Sequence, residues 1–566
     1  MKPVVSREFL TAILKEATPV DLRIVGRTLL HAALVGVAAG LMGAAFFAAL
    51  ELVQRFVLEL FAGYRVLRAA GETFVPELEA GHPFRWWLLL FLPAVGALGA
   101  GLVSQLAPET RGGGGDAMIN AFHKQEGVIR TRVAGVKALA SLLTLGTGGA
   151  GGREGPTMQI GGALGSWVGR LLAVSVAERR ILMVAGVAAG ISAVFRTPLG
   201  AALLAVEVLY RDDFESDALI PAVLASVTAY SVVIAIFGES TLFARAGHYP
   251  FVIKHLWLYG LLALLVSVVA TVFVSSLRSV QRVADRLPVP GWAKPALGGG
   301  ALGLFCVPII LFVGWRIGQP GQGVGLLGGG YGAVQVAITG AAWMPGGWVG
   351  VGLLLFLCFS KIIASSLTIG SGGSAGDFAP SLVIGGLFGG AFGRAAQMLT
   401  GDPRIDPGAF ALVAMGTFYG GVAHAPLSSL VLVCELAGSY DLLVPLMLAE
   451  GIAFVALRKK SLYHAQVPTR RESPVHHTPS LDLLETARVE QVMRVVSMSG
   501  IPVLPPEQRV SPDDNLRTAT ETLLKHKLRE IPVIDAQGQI VGLLDEADVS
   551  RFYLQATTRN PTPPVS

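Results

Sequence analysis

The stretch VKALASLLTLGTGGAGGREGPTMQIGGALGSWVGR, residues 136–170, is matched by SKIIASSLTIGSGGSAGDFAPSLVIGGLFGGAFGR, residues 360–394. The two segments align without a gap at an offset of 224 residues, and identities recur along their whole length. The identical pairs include Lys137 and Lys361, Thr144 and Thr368, Gly149 and Gly373, Pro156 and Pro380, Ile160 and Ile384, Gly161 and Gly385, Gly169 and Gly393, and Arg170 and Arg394. Self-similarity of this extent indicates an internal duplication.

A second stretch repeats at nearly the same offset, 228 residues. Its matched pairs are Pro198 and Pro426, Leu199 and Leu427, and Glu207 and Glu435. The chain is therefore predicted to contain two similar halves, at about 23–237 and 256–457. Duplicated membrane proteins commonly bind their substrate near the bilayer midplane, between broken helices at the repeat interface. The glycine-rich repeated segments are thus expected to line a pathway.

The composition is that of a membrane protein. Hydrophobic residues make up 52% of the 566 residues and charged residues only 15%, whereas soluble domains carry about a quarter charged residues. A membrane-spanning helix needs about 20 mostly apolar residues. Long apolar runs occupy residues 28–61, 86–106, 256–274, 296–313, 348–367 and 442–457. The predicted fold is an all-α polytopic membrane protein, integral and multi-pass.

Basic residues flank the membrane region at both ends. They are Lys2, Arg7, Lys15, Arg23 and Arg27 before the first apolar run, and Arg458, Lys459, Lys460, Arg470 and Arg471 after the last. By the positive-inside rule both termini are expected in the cytoplasm. Residues 1–22 are predicted to form a cytoplasmic helix, and the membrane is predicted to be a prokaryotic plasma membrane.

Other partners are not expected from the sequence. Cys306, Cys358 and Cys434 lie in apolar runs without metal-like spacing, which predicts neither a disulfide framework nor a metal site. The formal net charge of +5 is small for this length and gives no reason to expect nucleic-acid binding.

The glycine-rich loops suit the binding of an anion. In residues 146–156 the glycines end the preceding helix, and Pro156 favours the first turn of the next. A helix that begins there presents unpaired N–H groups and the positive end of its dipole. Residues 376–380 repeat this arrangement. Two helix N-termini directed at one point form an anion site without a full positive charge, from which the anion can still leave.

Glu154 is a carboxylate within the first of these loops. An ionisable residue at membrane depth marks a functional site by default, and this one lies beside N–H groups suited to an anion. Glu154 could therefore occupy the anion site and block it until it is protonated or displaced. The alternative is a buried ion pair, with Arg153 or another base, that only stabilises the fold.

Three segments in this order, GGREGPTMQIGG (151–162), GSGGSAGDFAP (370–380) and APLSSLVLVCEL (425–436), resemble the CLC family of chloride channels and chloride/proton exchangers. The resemblance covers nearly the whole membrane region. It implies a CLC-like inverted repeat with tilted, broken helices, and a homodimer with one pore in each subunit. The partners that it implies are chloride and the lipid bilayer.

The resemblance also implies roles for single residues. Glu154 takes the position of the gating glutamate, and Phe378 that of a residue at the chloride-coordinating helix start. Tyr440 takes the position of the tyrosine whose hydroxyl donates to the central anion. The full set of implied anion-binding positions is Gly113, Gly114, Arg153, Gly155, Asp377, Phe378, Ala379 and Tyr440.

Three departures from the family pattern bear on function. Gly113 stands where a serine is usual, so that hydroxyl donor is missing. Asp377 replaces a small or apolar residue, so its carboxylate must point away or pair, with a basic side chain as one candidate. Val208 occupies the position of the cytoplasm-facing glutamate that passes protons in exchangers. Glu207, one residue earlier, is turned by about 100° on a helix and is expected to pair with Arg211.

The loss of this proton-relay glutamate at Val208 favours passive conduction of chloride, gated by Glu154. Chloride/proton antiport is the alternative, because some exchangers of the family lack this acid. A remoter alternative is a membrane-anchored sensor that works through its cytoplasmic tail. The chain has no nucleophile elbow, phosphate-binding loop or metal-ligand spacing, so neither an enzyme nor a cofactor is expected.

Beyond residue 458 the composition changes. Residues 459–487 are basic, polar and proline-bearing, which predicts a linker. Residues 488–556 predict a small α/β unit with one helix and a hairpin, followed by a tail, 557–566. This unit resembles a single CBS motif, which is common in CLC tails and works in pairs. Asp545 replaces a hydroxyl of the family's nucleotide signature, and because a carboxylate repels phosphate, nucleotides should bind weakly or not at all.

Overall fold

The computed structural model describes residues 22–72, 74, 82–244, 246–476, 484, 486–495, 505, 508–535 and 537–559, with the backbone alone at 22–25 and 554–559. Contacts divide the chain into a larger unit, Gly26–Arg470, and a smaller unit of residues 1–25 and 471–566. The predicted N-terminal helix (1–22) lies outside the described residues except for its last residue, as do residues 560–566 of the predicted tail. The predicted linker, 459–487, began too early, because residues 459–470 belong to the larger unit.

The larger unit is built almost wholly from helices. Its first half contains α1 (Leu22–Gln54) with a π-helical continuation (Arg55–Phe61), α2 (Leu88–Val103), α3 (Gly115–Lys124), α4 (Arg132–Gly146), α5 (Glu154–Leu171), α6 (Val176–Phe195), α7 (Pro198–Glu207) and α8 (Ser216–Phe237). Its second half contains α9 (Leu256–Arg286), α10 (Lys294–Arg316), α11 (Tyr331–Thr339), α12 (Gly347–Gly370), α13 (Phe378–Thr400), α14 (Pro407–Ala423), α15 (Pro426–Ala437) and α16 (Leu443–Ala456).

Equivalent helices of the two halves begin at equivalent residues. Helix α5 begins at Glu154 and α13 at Phe378, at the offset of the sequence repeat, and α7 and α15 each begin with a proline. The turns before α7 and α15 also match, because Arg196 and His424 both adopt left-handed backbone, with φ of 58° and 53°. The predicted all-α membrane fold with repeated halves and broken helices is confirmed.

Six helices in the described part of the chain are long and apolar enough to cross a membrane. They are Gly26–Phe61, Ser216–Phe237, Ile253–Arg286, Lys294–Arg316, Gly347–Gly370 and Phe378–Thr400. The apolar runs at 86–106 and 442–457 form the shorter helices Leu88–Val103 and Leu443–Ala456. Short helices leave their ends at membrane depth, where unpaired backbone groups are tolerated only if they line a cavity or a pathway.

Glycines bring the helices of each half into backbone contact. Helix α5 packs on α6, and α13 packs on α14. A Cβ added to Gly161 would overlap the carbonyl of Gly186, and a Cβ added to Gly385 would lie 2.5 Å from the carbonyl oxygen of Ala414. These contacts are the small-residue packing typical of membrane helices, and they bring the N-terminal turns of α5 and α13 into fixed positions.

The smaller unit contains an antiparallel sheet with the strand order β1–β3–β2. Its elements are β1 (Arg494–Val495), α17 (Leu516–Lys525), β2 (Glu530–Ile534), β3 (Ile540–Asp545) and α18 (Glu546–Arg559). The register places Ile531 opposite Leu544 and Val533 opposite Gly542. Aliphatic side chains form its core, among them Val489, Val510, Leu516, Leu523, Ile531, Val533, Leu544 and Val549. The predicted helix and hairpin are both present.

Candidate functional site

The starts of α5 and α13 are bridged to each other through glycines. Gly152 N donates to Gly376 O at 2.7 Å, and Gly376 N donates to Gly152 O at 2.8 Å. Gly155 packs so closely on the carbonyl of Gly113 that a Cβ on Gly155 would overlap it. Three loops that are far apart in sequence therefore converge, and a side chain at these glycines would keep them apart.

Two buried lysines hold the loops that lead into this region. Lys137 donates to two loop carbonyls at 2.9 and 2.7 Å, and its repeat partner Lys361 donates to two others at 3.1 and 2.8 Å. The acceptors are Thr110 and Gly112 for the first lysine, and Leu326 and Gly328 for the second. A buried ammonium requires such acceptors, so each lysine fixes the course of one loop.

These two loops share one backbone conformation. Gly112 and Gly114 have φ of 71° and 93°, and Gly328 and Gly330 have φ of 68° and 93°, a region that favours glycine. The offset is 216 residues here, which differs from both offsets in the sequence comparison, so that comparison missed the pair. Tyr331 thus follows a loop with the shape of the one that contains Gly113.

Glu154 is fully buried at the first position of α5. Its Oε1 accepts a hydrogen bond from the Tyr331 hydroxyl at 2.5 Å. Its Oε2 has no hydrogen-bond partner among the described residues. The carboxylate is therefore held on one side by a residue that the sequence analysis did not single out, and its other oxygen is left open.

Arg153 is engaged mainly by residues other than Glu154. Its guanidinium lies 2.8 Å from Glu72 and 3.6 Å from Glu51, and Nε lies 4.0 Å from Glu154. The guanidinium also lies 4.8 Å from the ring centre of Phe47. A structural Arg153–Glu154 pair is thus the weakest of these contacts. The side chain predicted to bind an anion is instead shared between carboxylates, which leaves the backbone of Arg153 as its part of the helix start.

Phe378 lies in an aromatic cluster at the start of α13. Its ring centre is 5.0 Å from that of Phe195 and 4.3 Å from that of Tyr419. The hydroxyl of Tyr463 lies 3.4 Å from the hydroxyl of Tyr419. The helix start predicted to bind the anion is therefore lined by aromatic rings and by two buried hydroxyl groups.

Asp377, the residue before Phe378, turns its carboxylate into this cluster. Oδ1 accepts from the Tyr463 hydroxyl at 3.3 Å, and a Cβ on Gly113 would lie 3.5 Å from Oδ2. The partner of Asp377 is thus a tyrosine and not a base. The carboxylate faces the position where Gly113 omits a side chain, which places a second acid beside the candidate anion site.

The prediction that Tyr440 donates to a central anion is wrong. Tyr440 is 58% exposed, whereas Phe378 is 1% exposed. Helix α15 ends before Tyr440, and Gly438, in left-handed conformation, turns the chain. The segment after α16 folds back into the unit and buries Tyr463, which lies beside Asp377. Tyr463 and Tyr419 are therefore the tyrosines of this site.

Glu207 does not pair with Arg211 as predicted. Its carboxylate accepts from two backbone N–H groups at the start of α15, at 3.2 and 2.8 Å, and Glu435 accepts from two at the start of α7, at 3.1 and 2.7 Å. The donors are Leu427 and Ser428 for the first glutamate, and Leu199 and Gly200 for the second. Each half thus supplies the N-terminal cap for a helix of the other.

Val208 is fully buried where α7 ends, and its carbonyl accepts from Gln466 Nε2 at 3.0 Å. The neighbouring Glu207 cannot take over the relay position, because its carboxylate is directed to α15. Proton transfer from the cytoplasm would therefore need a different acid.

In the smaller unit, Arg494 binds both acids of the nucleotide signature. Its guanidinium lies 3.2 Å from Asp545 and 2.5 Å from Asp548, and Arg551 lies 3.3 Å from Asp548. The hydrogen bond to Asp548 raises the pKa of Arg494. Both carboxylates are thus already paired, and weak nucleotide binding stays a prediction.

Comparison with known families and proteins supports the resemblance. The family model described as voltage gated chloride channel matches residues 95–458, and the CBS domain model matches residues 489–555. The H+/Cl− exchange transporter ClcA of Salmonella paratyphi B is 34% identical over 425 residues, which are 74% of this chain and 83% of the relative. The transporter of the same name from Salmonella typhimurium is 33% identical over the same shares.

Solved structures share the fold. A slow cyanobacterial Cl−/H+ antiporter matches with a TM-score of 0.64 at 24% identity, over 76% of this chain and 94% of that chain. A CLC-type fluoride/proton antiporter has the same TM-score at 22% identity, over 80% of this chain and all of the other. The family match covers more than half of the chain and the repeated helices agree with it. The protein is therefore an integral, multi-pass member of the voltage gated chloride channel (CLC) family, with a CBS domain at its C-terminal end.

Proposed function

We propose that this protein exchanges chloride for protons across the membrane. The observation that carries the proposal is the buried Glu154 carboxylate at the start of α5, with one oxygen held by Tyr331 and the other open. The N–H groups and the dipole at a helix start favour an anion, so the carboxylate and chloride compete for one place. A proton that neutralises Glu154 removes this competition and links the two ions.

Exchange is favoured over passive conduction. The relatives at 33–34% identity are named H+/Cl− exchange transporters, whereas the channel hypothesis depends on one position, Val208. Loss of an acid at one position does not remove proton transfer if another buried acid can serve. Asp377, whose carboxylate faces Gly113 and Tyr463, shows that this chain carries acids where the family pattern has none.

We also propose that the protein is a homodimer with both termini in the cytoplasm. Helices α7 and α15 have 10 and 12 residues, too few to span a bilayer, which takes about 20. Leu199 and Leu427 on these helices are 42% and 60% exposed. An exposed apolar surface on short, paired helices suits contact with a second copy, as the family resemblance implies.

Glu154→Gln tests the gate. The amide keeps the shape of the side chain but cannot carry a proton in exchange, so we expect chloride flux to persist while coupled proton flux falls about tenfold or more. The measurement records chloride efflux and pH together in chloride-loaded liposomes. Wild-type protein should take up protons against their gradient as chloride leaves.

Two results would contradict the proposal. Wild-type protein that releases chloride without proton uptake would be a passive channel. Glu154→Gln protein with the wild-type number of protons per chloride would show that the gate is another residue.

A further inference from the structure

Glu450 is a buried carboxylate that takes no part in the site described above. It lies on α16, is 2% exposed, and its Oε1 accepts from the Ser429 hydroxyl. Its Oε2 has no hydrogen-bond partner among the described residues. Glu207 and Glu435, on helices that pack nearby, have both oxygens occupied by N–H groups. A buried charge is costly unless it is paired, so Glu450 is suited to take up and release a proton.

Two glycines of α14 make room for this carboxylate. A Cβ on Gly420 would overlap Glu450 Oε2, and a Cβ on Gly416 would lie 3.2 Å from Oε1. Tyr419 precedes Gly420 in the chain, and its ring centre lies 4.3 Å from that of Phe378. The free oxygen of Glu450 therefore lies against α14 one residue away from the aromatic cluster of the candidate anion site.

His424 lies one helical turn further along the same interface. It follows Gly420 by four residues, as Phe454 follows Glu450, and the rings of His424 and Phe454 have centres 6.2 Å apart. His424 is 3% exposed, and its Nε2 lies 3.3 Å from the carbonyl oxygen of Leu457. Its Nδ1 has no partner within hydrogen-bond distance in the described part of the chain. One turn corresponds to about 5.4 Å, so two buried groups with open atoms follow each other between α14 and α16.

This row of groups begins beside the position where the relay glutamate is missing. Gln466 Nε2 donates to the carbonyl of Val208 at 3.0 Å and to that of Ala423 at 2.8 Å, and its amide lies near the His424 ring. The charged groups that act on the pair are Glu207 on Glu450, and Arg211 and Asp212 on His424. The row starts at the end of α14 near Leu457, which the flanking basic residues place towards the cytoplasm.

We infer that His424 and Glu450 form the inner proton relay of this protein, in place of the glutamate that Val208 replaces. The inference rests on the proposed exchange of chloride for protons. It identifies which acid and which base of this chain connect the cytoplasm with Glu154.

The protons balance along this relay. A carbonyl only accepts, so His424 Nε2 carries the hydrogen donated to Leu457, and Nδ1 keeps a lone pair. Nδ1 takes a proton from the cytoplasmic side and gives it to Glu450 Oε2, which leaves the imidazole neutral and the carboxyl group protonated. The proton then passes to Glu154, and Glu450 returns to a carboxylate as chloride moves the opposite way.

Glu450→Gln in the full-length protein tests the relay by recording chloride and pH in the same liposomes. We expect chloride flux to stay within about twofold of wild type and proton flux to fall about tenfold or more, as for a lost acid–base group. His424→Gln should lower proton flux in the same way, and Glu450→Asp should keep part of it. Glu435→Gln is the matched control, because this buried glutamate only caps α7, and it should leave the number of protons per chloride unchanged.

The relay inference is overturned if Glu450→Gln moves as many protons per chloride as the wild type, while the proposed exchange stands. If wild-type protein moves no protons at all, the exchange fails and the relay fails with it. Chloride flux in each variant reports that the protein is folded. Should Glu450→Gln not fold, the proton-to-chloride ratio of His424→Gln decides the question.

Discussion

One tyrosine hydroxyl donates to the buried Glu154 carboxylate, and it comes from the other half of the duplicated unit. Tyr331 lies at the first position of α11, after a loop whose shape matches the loop at Gly113. A hydrogen bond to a charged group contributes about 1.5–3 kcal/mol, and each 1.4 kcal/mol is tenfold in an equilibrium. Tyr331 therefore contributes to keeping the carboxylate in the position that blocks an anion.

Tyr331→Phe should release the gate. We expect chloride flux at neutral pH to rise by about tenfold, the effect of one charge-assisted hydrogen bond. Flux at acid pH should change little, because a protonated Glu154 no longer competes with chloride. The measurement is chloride efflux from liposomes at several pH values, so the variant should show a flatter pH profile than wild type.

Tyr259→Phe provides the control for this substitution. Tyr259 is also a buried tyrosine, but its ring stacks on Phe410 at 4.4 Å in another part of the unit. It should keep the wild-type pH profile. A wild-type profile for Tyr331→Phe as well would show that the hydrogen bond does not restrain the gate.

At the scale of the elements, α7 and α15 are tied together by exchanged caps. Glu207 at the end of α7 caps α15, and Glu435 near the end of α15 caps α7. Each short helix thus has its N-terminal N–H groups satisfied by the other half, where no water is at hand. The tie also explains why the two glutamates repeat at the same distance from their prolines.

Removing either cap should destabilise the protein. Glu207→Ala and Glu435→Ala each leave buried N–H groups without an acceptor, which costs about 1–3 kcal/mol. We expect the larger loss for Glu207→Ala, because Glu207 also accepts from the Ser428 hydroxyl. Thermal unfolding of the purified protein in detergent measures both, with the exposed Glu239→Ala as control. Unchanged unfolding temperatures for both cap variants would show that the caps contribute no stability.

At the scale of the whole molecule, the candidate site lies entirely within the unit Gly26–Arg470. The residues that contact Glu154, Asp377 and Glu450 all belong to that unit. The CBS domain at 489–555 has a hydrophobic core of its own. Transport should therefore not require the C-terminal domain.

Deletion of residues 488–566 should leave a dimer that still transports chloride. We expect the proton-to-chloride ratio to equal that of the full chain, because the pathway residues are retained. Light scattering gives the mass of the particle in detergent, and the liposome recording gives the ratio. Loss of chloride flux in a deletion variant that remains dimeric would show that the C-terminal domain is needed for transport.

The sequence by itself determined the class of fold and the segments that build the site. Apolar runs, glycine-rich breaks and prolines at helix starts are local signals, and the repeat of residues 136–170 at 360–394 related the two halves. The position of Glu154 at a helix start followed from the same signals. The apolar runs were less reliable for short helices, since Leu443–Ala456 lies within a run of spanning composition but has only 14 residues.

Only the tertiary structure decided which side chains meet. Glu154 and Tyr331 are 177 residues apart, Asp377 and Tyr463 are 86 apart, and Glu207 reaches a helix about 220 residues away. Tyr463 lies in a basic stretch typical of a linker, whereas Tyr440 lies in a family motif but on the surface. The physical reason is that a hydrogen-bond partner depends on where helices cross. That crossing is set by packing summed over the whole unit, and no local pattern contains it.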